Sequence, residues 1–70
     1  MEYLSDRITL DADLCNGRPT IRSLRITVET ILDFISNGDS VEEVLESYPF
    51  LEREDIAVCF SFATKIIKRI

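Results

Sequence analysis

Residues 40–56 read Ser-Val-Glu-Glu-Val-Leu-Glu-Ser-Tyr-Pro-Phe-Leu-Glu-Arg-Glu-Asp-Ile, a helix signal, a break and the start of a second helix. Ser40 followed by Glu43 is a capping box, in which the serine caps a helix start and the glutamate reaches back to it. Val41, Val44, Leu45 and Tyr48 then form the buried stripe of a short helix over about residues 41–47. Pro49 stops that helix, because it supplies no amide hydrogen and clashes with the preceding turn. Glu52, Glu54 and Asp55 suit the positive start of the next helix, and Lys65, Lys68 and Arg69 suit its negative end. That helix is expected over about 53–68. Two helices joined by about five residues, Tyr48 to Glu52, have the spacing of a helix-turn-helix.

Working back toward the start, Thr27 caps a further helix over about 28–36, whose apolar positions Val28, Ile31, Leu32 and Ile35 follow the helical period. Asn37-Gly38 ends it, since glycine accepts the left-handed conformation beyond a helix end. Residues 7–26 read differently. Ile8-Thr9-Leu10 is a short β-prone run, Asn16-Gly17 a turn dipeptide, and Pro19 to Ile26 an extended segment that begins with proline. The expected architecture is mainly α. It has three helices arranged like a helix-turn-helix, with a short hairpin or swapped strands in a small N-terminal β-region.

The chain has 70 residues, two cysteines and no histidine. A core of this size rarely supplies more than about 3–5 kcal/mol. Cys15 and Cys59 without histidine cannot build a zinc site, and both are read as free thiols of a reducing compartment. The lack of histidine also removes the usual general base near neutral pH, so no catalytic residue, metal or cofactor is expected. Asp11 and Asp13 sit in a turn, where paired carboxylates are ordinarily solvated. The opening Met-Glu-Tyr-Leu-Ser-Asp is not a secretory leader, and no apolar run is long enough to span a bilayer. A cytoplasmic protein is expected.

The net charge of −5 is unevenly spread. Residues 29–55 hold nine acids against Arg53 alone, a net of −8, while residues 56–70 hold Lys65, Lys68 and Arg69 and no acid. Leu14 to Val28 carries Arg18, Arg22 and Arg25 with no acid, so one exposed face there would be locally basic. These arginines, with Arg53, are the candidate DNA or anion contacts; the other reading is that they are solvated or paired with nearby acids. Along the third helix Ile56, Cys59, Phe60, Ala63, Ile66, Ile67 and Ile70 fall on one side, and Val58 and Phe62 lie beside them. Such an arc is either a large internal core or an interface, with Val58, Phe62 and Ile66 as the docking residues. A second candidate interface is the pairing of two β-regions through Ile8, Leu10 and Ile21, which makes the chain a homodimer.

Three blocks in natural order resemble the family of domain of unknown function 433. They are Asp11 to Val28, then Gly38 with Ser40 to Leu45, then Tyr48 to Ile56. Members read Gly-Lys-Pro-x-Ile-x-Gly-Thr-Arg-Ile-x-Val, then Gly-x-Ser-x-Glu-Glu-Ile-Leu, then Tyr-Pro-x-Leu-x-x-x-Asp-Ile. The likeness covers about residues 8–64. It implies a prokaryotic protein with a helix-turn-helix-like or winged-helix-like fold. It also implies kinship with antitoxins that mask a PIN-like ribonuclease toxin and repress their own operator DNA. At the matching positions Gly17, Pro19, Gly38, Ser40, Tyr48 and Pro49 are turn and cap residues. Arg25 is read as a clamp on a carboxylate such as Asp55, or as a phosphate contact. The chain departs from the pattern at Ser23-Leu24, where Gly-Thr is usual. A turn needing positive φ there is strained or built differently. The leading expectation is an antitoxin-like protein. The others are a dimeric DNA-binding regulator without a toxin and a structural interaction module.

Overall fold

The computed structural model describes residues 1–69; Ile70 lies outside the described residues. The three helices are α1 (Val28–Ser36), α2 (Val41–Ser47) and α3 (Arg53–Lys68). Their ends are set by the residues that the spacing singles out. Thr27 Oγ1 accepts from the Thr30 amide at 3.0 Å. At α2, Ser40 Oγ accepts from the Glu43 amide at 3.1 Å while Glu43 Oε1 accepts from the Ser40 amide at 2.9 Å. Beyond α1, Gly38 takes φ +104°, and the amides of Gly38 and Asp39 donate to the carbonyls of Ile35 and Phe34. This is the paired hydrogen-bond pattern of a left-handed helix stop.

The N-terminal region is a three-stranded antiparallel sheet, β1 (Glu2–Tyr3), β2 (Ile8–Leu10) and β3 (Thr20–Ile21), in spatial order β1-β2-β3. The expected hairpin is therefore present as β2 and β3, closed within one chain, and β1 is an additional strand. Ile8 pairs with Ile21 and Thr9 with Thr20. Because alternate residues face opposite sides of a sheet, one side presents Ile8 and Ile21 to the helices. The other side holds the buried hydroxyl pair Thr9 and Thr20, 3.0 Å apart. The outer edge of β3 is covered too: Thr20 bridges Thr27, and the Val28 amide donates to the Pro19 carbonyl at 3.0 Å.

Ile8, Ile21, Ile26, Val28, Ile31, Val44, Leu51, Ile56 and Cys59 form the buried core. α1 packs on both α2 and α3, so the sheet region, α1 and the start of α3 enclose one apolar centre. Tyr48 closes the turn between α2 and α3, its ring 5.8 Å from Phe34 and 5.9 Å from Phe50.

Two expectations are corrected here. Ile8 and Ile21 have no exposed surface and pair with each other, so they form core rather than interface. Leu10 is half-buried and pairs with Glu2 of β1, which occupies the edge where a second copy was expected.

Candidate functional site

The densest polar cluster is built around Asp55, the third residue of α3, whose side chain has no exposed surface. Arg22 Nε donates to Oδ1 at 3.1 Å and Arg22 Nη2 to Oδ2 at 2.8 Å. Arg7 Nη1 donates to Oδ1 at 2.9 Å, and the Glu52 amide donates to Oδ2 at 2.9 Å. Each carboxylate oxygen thus accepts two hydrogen bonds. Arg7 also reaches Glu52 Oε1 at 2.6 Å, and Arg22 Nη2 donates to the Phe50 carbonyl at 3.1 Å. One carboxylate thereby joins the β1–β2 connection, the turn after β3, the α2–α3 turn and the start of α3.

Burial alone raises the pKa of Asp55, but the hydrogen bonds from Arg22, the Glu52 amide and Arg7 outweigh it and hold the carboxyl below its ordinary range. The Arg7 and Arg22 guanidiniums are correspondingly held charged, chiefly by the bonds to Glu52 and Asp55. A buried carboxylate matched in this way has no free lone pair for a substrate or metal. Among the described residues no group of three His, Cys, Asp or Glu side chains could hold a metal ion. One turn on from Asp55, the buried Cys59 thiol is pushed up to about 12 by desolvation and by the Asp55 charge. It stays protonated and unreactive.

The arginine that clamps Asp55 is Arg22, not Arg25. The reason is local. Arg22 and Ser23 take φ +47° and +61°, and the Leu24 amide closes the turn on the Ile21 carbonyl at 2.7 Å. Two successive positive φ values reverse the chain, so the alternation of a strand does not run through residues 22–25. Ser23 stands in the left-handed position that a glycine fills without strain, and its amide is tied to Thr9 Oγ1 at 2.8 Å. Arg25 is exposed and makes no ion pair with a described residue. Arg18 pairs with Glu29 at 2.9 Å, and Arg53 pairs with Glu42, whose carboxyl it holds below the usual range. Arg7 carries no spacing signal; only the fold brings it to Glu52 and Asp55.

Two surface features stand out. The face of α2 and the start of α3 exposes Glu42, Glu43, Glu46, Glu52 and Glu54. Phe62 and Ala63 are partly buried, with Phe62 packed against the core, and past them α3 carries Ile66 and Ile67. There Ile66 and Ile67 are 49% and 67% exposed. Val58 and Phe62 are half-buried.

A small helical domain with a helix-turn-helix connection and an N-terminal antiparallel sheet is the class defined by these elements. The chain belongs to the family described as "Protein of unknown function (DUF433)", which it matches over residues 8–63. It is 32% identical over 56 residues to "Uncharacterized protein y4eO" of Sinorhizobium fredii, a match spanning 80% of this chain and 25% of that protein. It is also similar to the crystal structure of a DUF433 member protein from Anabaena variabilis. There the TM-score is 0.84 and the identity 27%, covering 94% of this chain and 65% of that one. The chain therefore spans a quarter of the length of the curated relative and just under two thirds of the solved one.

Proposed function

We propose that the chain is an antitoxin-like binding protein of a type II toxin–antitoxin pair, one that docks a PIN-like ribonuclease and masks it. The acidic face of α2 and the start of α3 carries this reading. A DNA-binding helix-turn-helix presents cations there, to meet phosphates. This chain presents Glu42, Glu43, Glu46, Glu52 and Glu54; Glu42 is paired to Arg53 and Glu52 to Arg7, which leaves Glu43, Glu46 and Glu54 in no ion pair with a described residue. A surface of that sign suits the cationic cleft in which a ribonuclease holds its RNA. Complementary charge would also speed the encounter and reject other partners.

The test is co-expression with the product of the adjacent gene, followed by capture on a tag at low and high salt. A stoichiometric complex that weakens with salt, and is lost in the Glu46→Lys/Glu54→Lys variant, is expected. No complex at low salt overturns the proposal.

Operator binding is the second reading, and Arg25, exposed just after the 21–24 turn and in no ion pair with a described residue, favours it. A gel shift on the chain's own promoter that is silent at low salt would remove it.

A further inference from the structure

The apolar stripe of α3 runs on past the body that it packs against. Ile56 and Cys59 are buried, and the same side of the helix continues through Phe62, Ala63 and Ile66. This half of α3 stands between two grooves. One, about 640 Å³, lies against α1 and is lined by Pro19, Val28, Leu32, Phe62 and Ile67, with Arg18, Glu29 and Asp33 at its rim. The other, about 570 Å³, lies against the β1–β2 connection at Leu4, Ser5 and Asp6. Phe62 and Ile66 line both.

We infer that the occupant of the groove between α1 and α3 is the α3 C-terminal half of a second copy of this chain, giving a two-fold dimer of antiparallel α3 helices. Charge selects this occupant. The groove is mainly apolar, and of its three charged lining residues Arg18 and Glu29 pair with each other, which leaves Asp33 in no ion pair with a described residue and the groove with one net negative charge. The matching insert is apolar and cationic. From Ile56 to Arg69, α3 and its cap carry Ile66 and Ile67 beside Lys65, Lys68 and Arg69, with no acid. Because the inserted segment is also the wall of the groove, one two-fold axis near Phe62 and Ile66 fills both copies at once. That is the requirement for a closed, self-complementary interface. Antiparallel packing also opposes the two helix dipoles. A domain this small gains most from such burial. This interface is separate from the acidic α2 face, so it stands or falls independently of the ribonuclease reading.

Sedimentation equilibrium of the purified chain over a wide concentration range tests it. The expected result is a reversible species of twice the chain mass of 8.0 kDa. Ile67 is already largely exposed, so Ile67→Glu leaves the monomer folded by circular dichroism; it should weaken association about tenfold or more. Lys68→Glu should weaken it less, and adding Asp33→Lys should recover most of that loss. Three outcomes overturn the inference: a monomer throughout, a dimer indifferent to Ile67→Glu, or a Lys68→Glu loss that Asp33→Lys deepens.

Discussion

Arg22 holds Asp55 by both carboxylate oxygens, at 3.1 and 2.8 Å, although the two residues stand 33 positions apart. The pairing fastens the β3 turn to the first turn of α3, and Arg7 completes it from the other side. Two-point contact of this kind fixes orientation as well as distance. It explains how a three-stranded sheet of two- and three-residue strands keeps its place on the helices.

Asp55→Asn is expected to destabilise the chain by about 3 kcal/mol in urea unfolding. This is the low end of the cost of breaking a buried ion pair, because Arg7 and Arg22 keep 29% and 36% exposure and find water. For a domain of this size that is most of the available stability. Arg22→Ala should be clearly destabilising, whereas Arg25→Ala should stay within about 0.5 kcal/mol of the parent, as for an ordinary surface position. Equal effects at the two arginines would contradict the assignment.

Stability should fall in acid, and Asp55 sets the direction. Its folded pKa lies below the unfolded one, so the unfolded state takes up the proton first as pH drops. The stabilisation is complete above the unfolded aspartate value of about 3.9 and is lost as pH falls from there through the lower folded value. Thermal melts from neutral pH downward should show that loss, and Asp55→Asn should flatten it. An acid limb unchanged in the variant would place the titration elsewhere.

Ser23→Gly should stabilise the protein. The left-handed conformation costs a residue with a Cβ about 1–2 kcal/mol, partly offset by the freedom that glycine adds to the unfolded chain. With φ +61° at Ser23, a net gain of about 0.5–1 kcal/mol and a Tm higher by a few degrees are expected. A lower Tm would mean that the serine side chain earns its position.

The two thiols should differ. Cys59 is fully buried, with its pKa pushed up to about 12, while Cys15 is half-exposed. Under native conditions a thiol reagent should label one cysteine rapidly, and peptide mapping should find it at Cys15. Rapid labelling of both would show that α3 opens readily from the core.

Much of this architecture is legible in the sequence, because helix ends leave local marks: Thr27, Asn37-Gly38, Ser40 with Glu43, and Pro49 act on neighbours within a few residues. β1 leaves no such mark, since Glu2 and Tyr3 are strand only by pairing with Leu10 and Thr9. The apolar pattern of Ile8 and Ile21 says that they are covered but not by what, and their own helices cover them. Arg22 and Arg25 exchange roles for a conformational reason: two positive φ values turn the chain between them. The departure at Ser23 from the family pattern was the visible sign of that turn. Nothing local announces Arg7, because its partners are 45 and 48 residues away.

The role proposed for the acidic face of α2 and the start of α3 is to mask a ribonuclease. The measurement is an RNA-cleavage assay of the nuclease that this proposal expects from the adjacent gene, with the present protein titrated in. Cleavage should fall to background at one equivalent of parent chain, and should persist with the folded Glu46→Lys/Glu54→Lys variant. Undiminished cleavage in an excess of the parent chain would rule that role out.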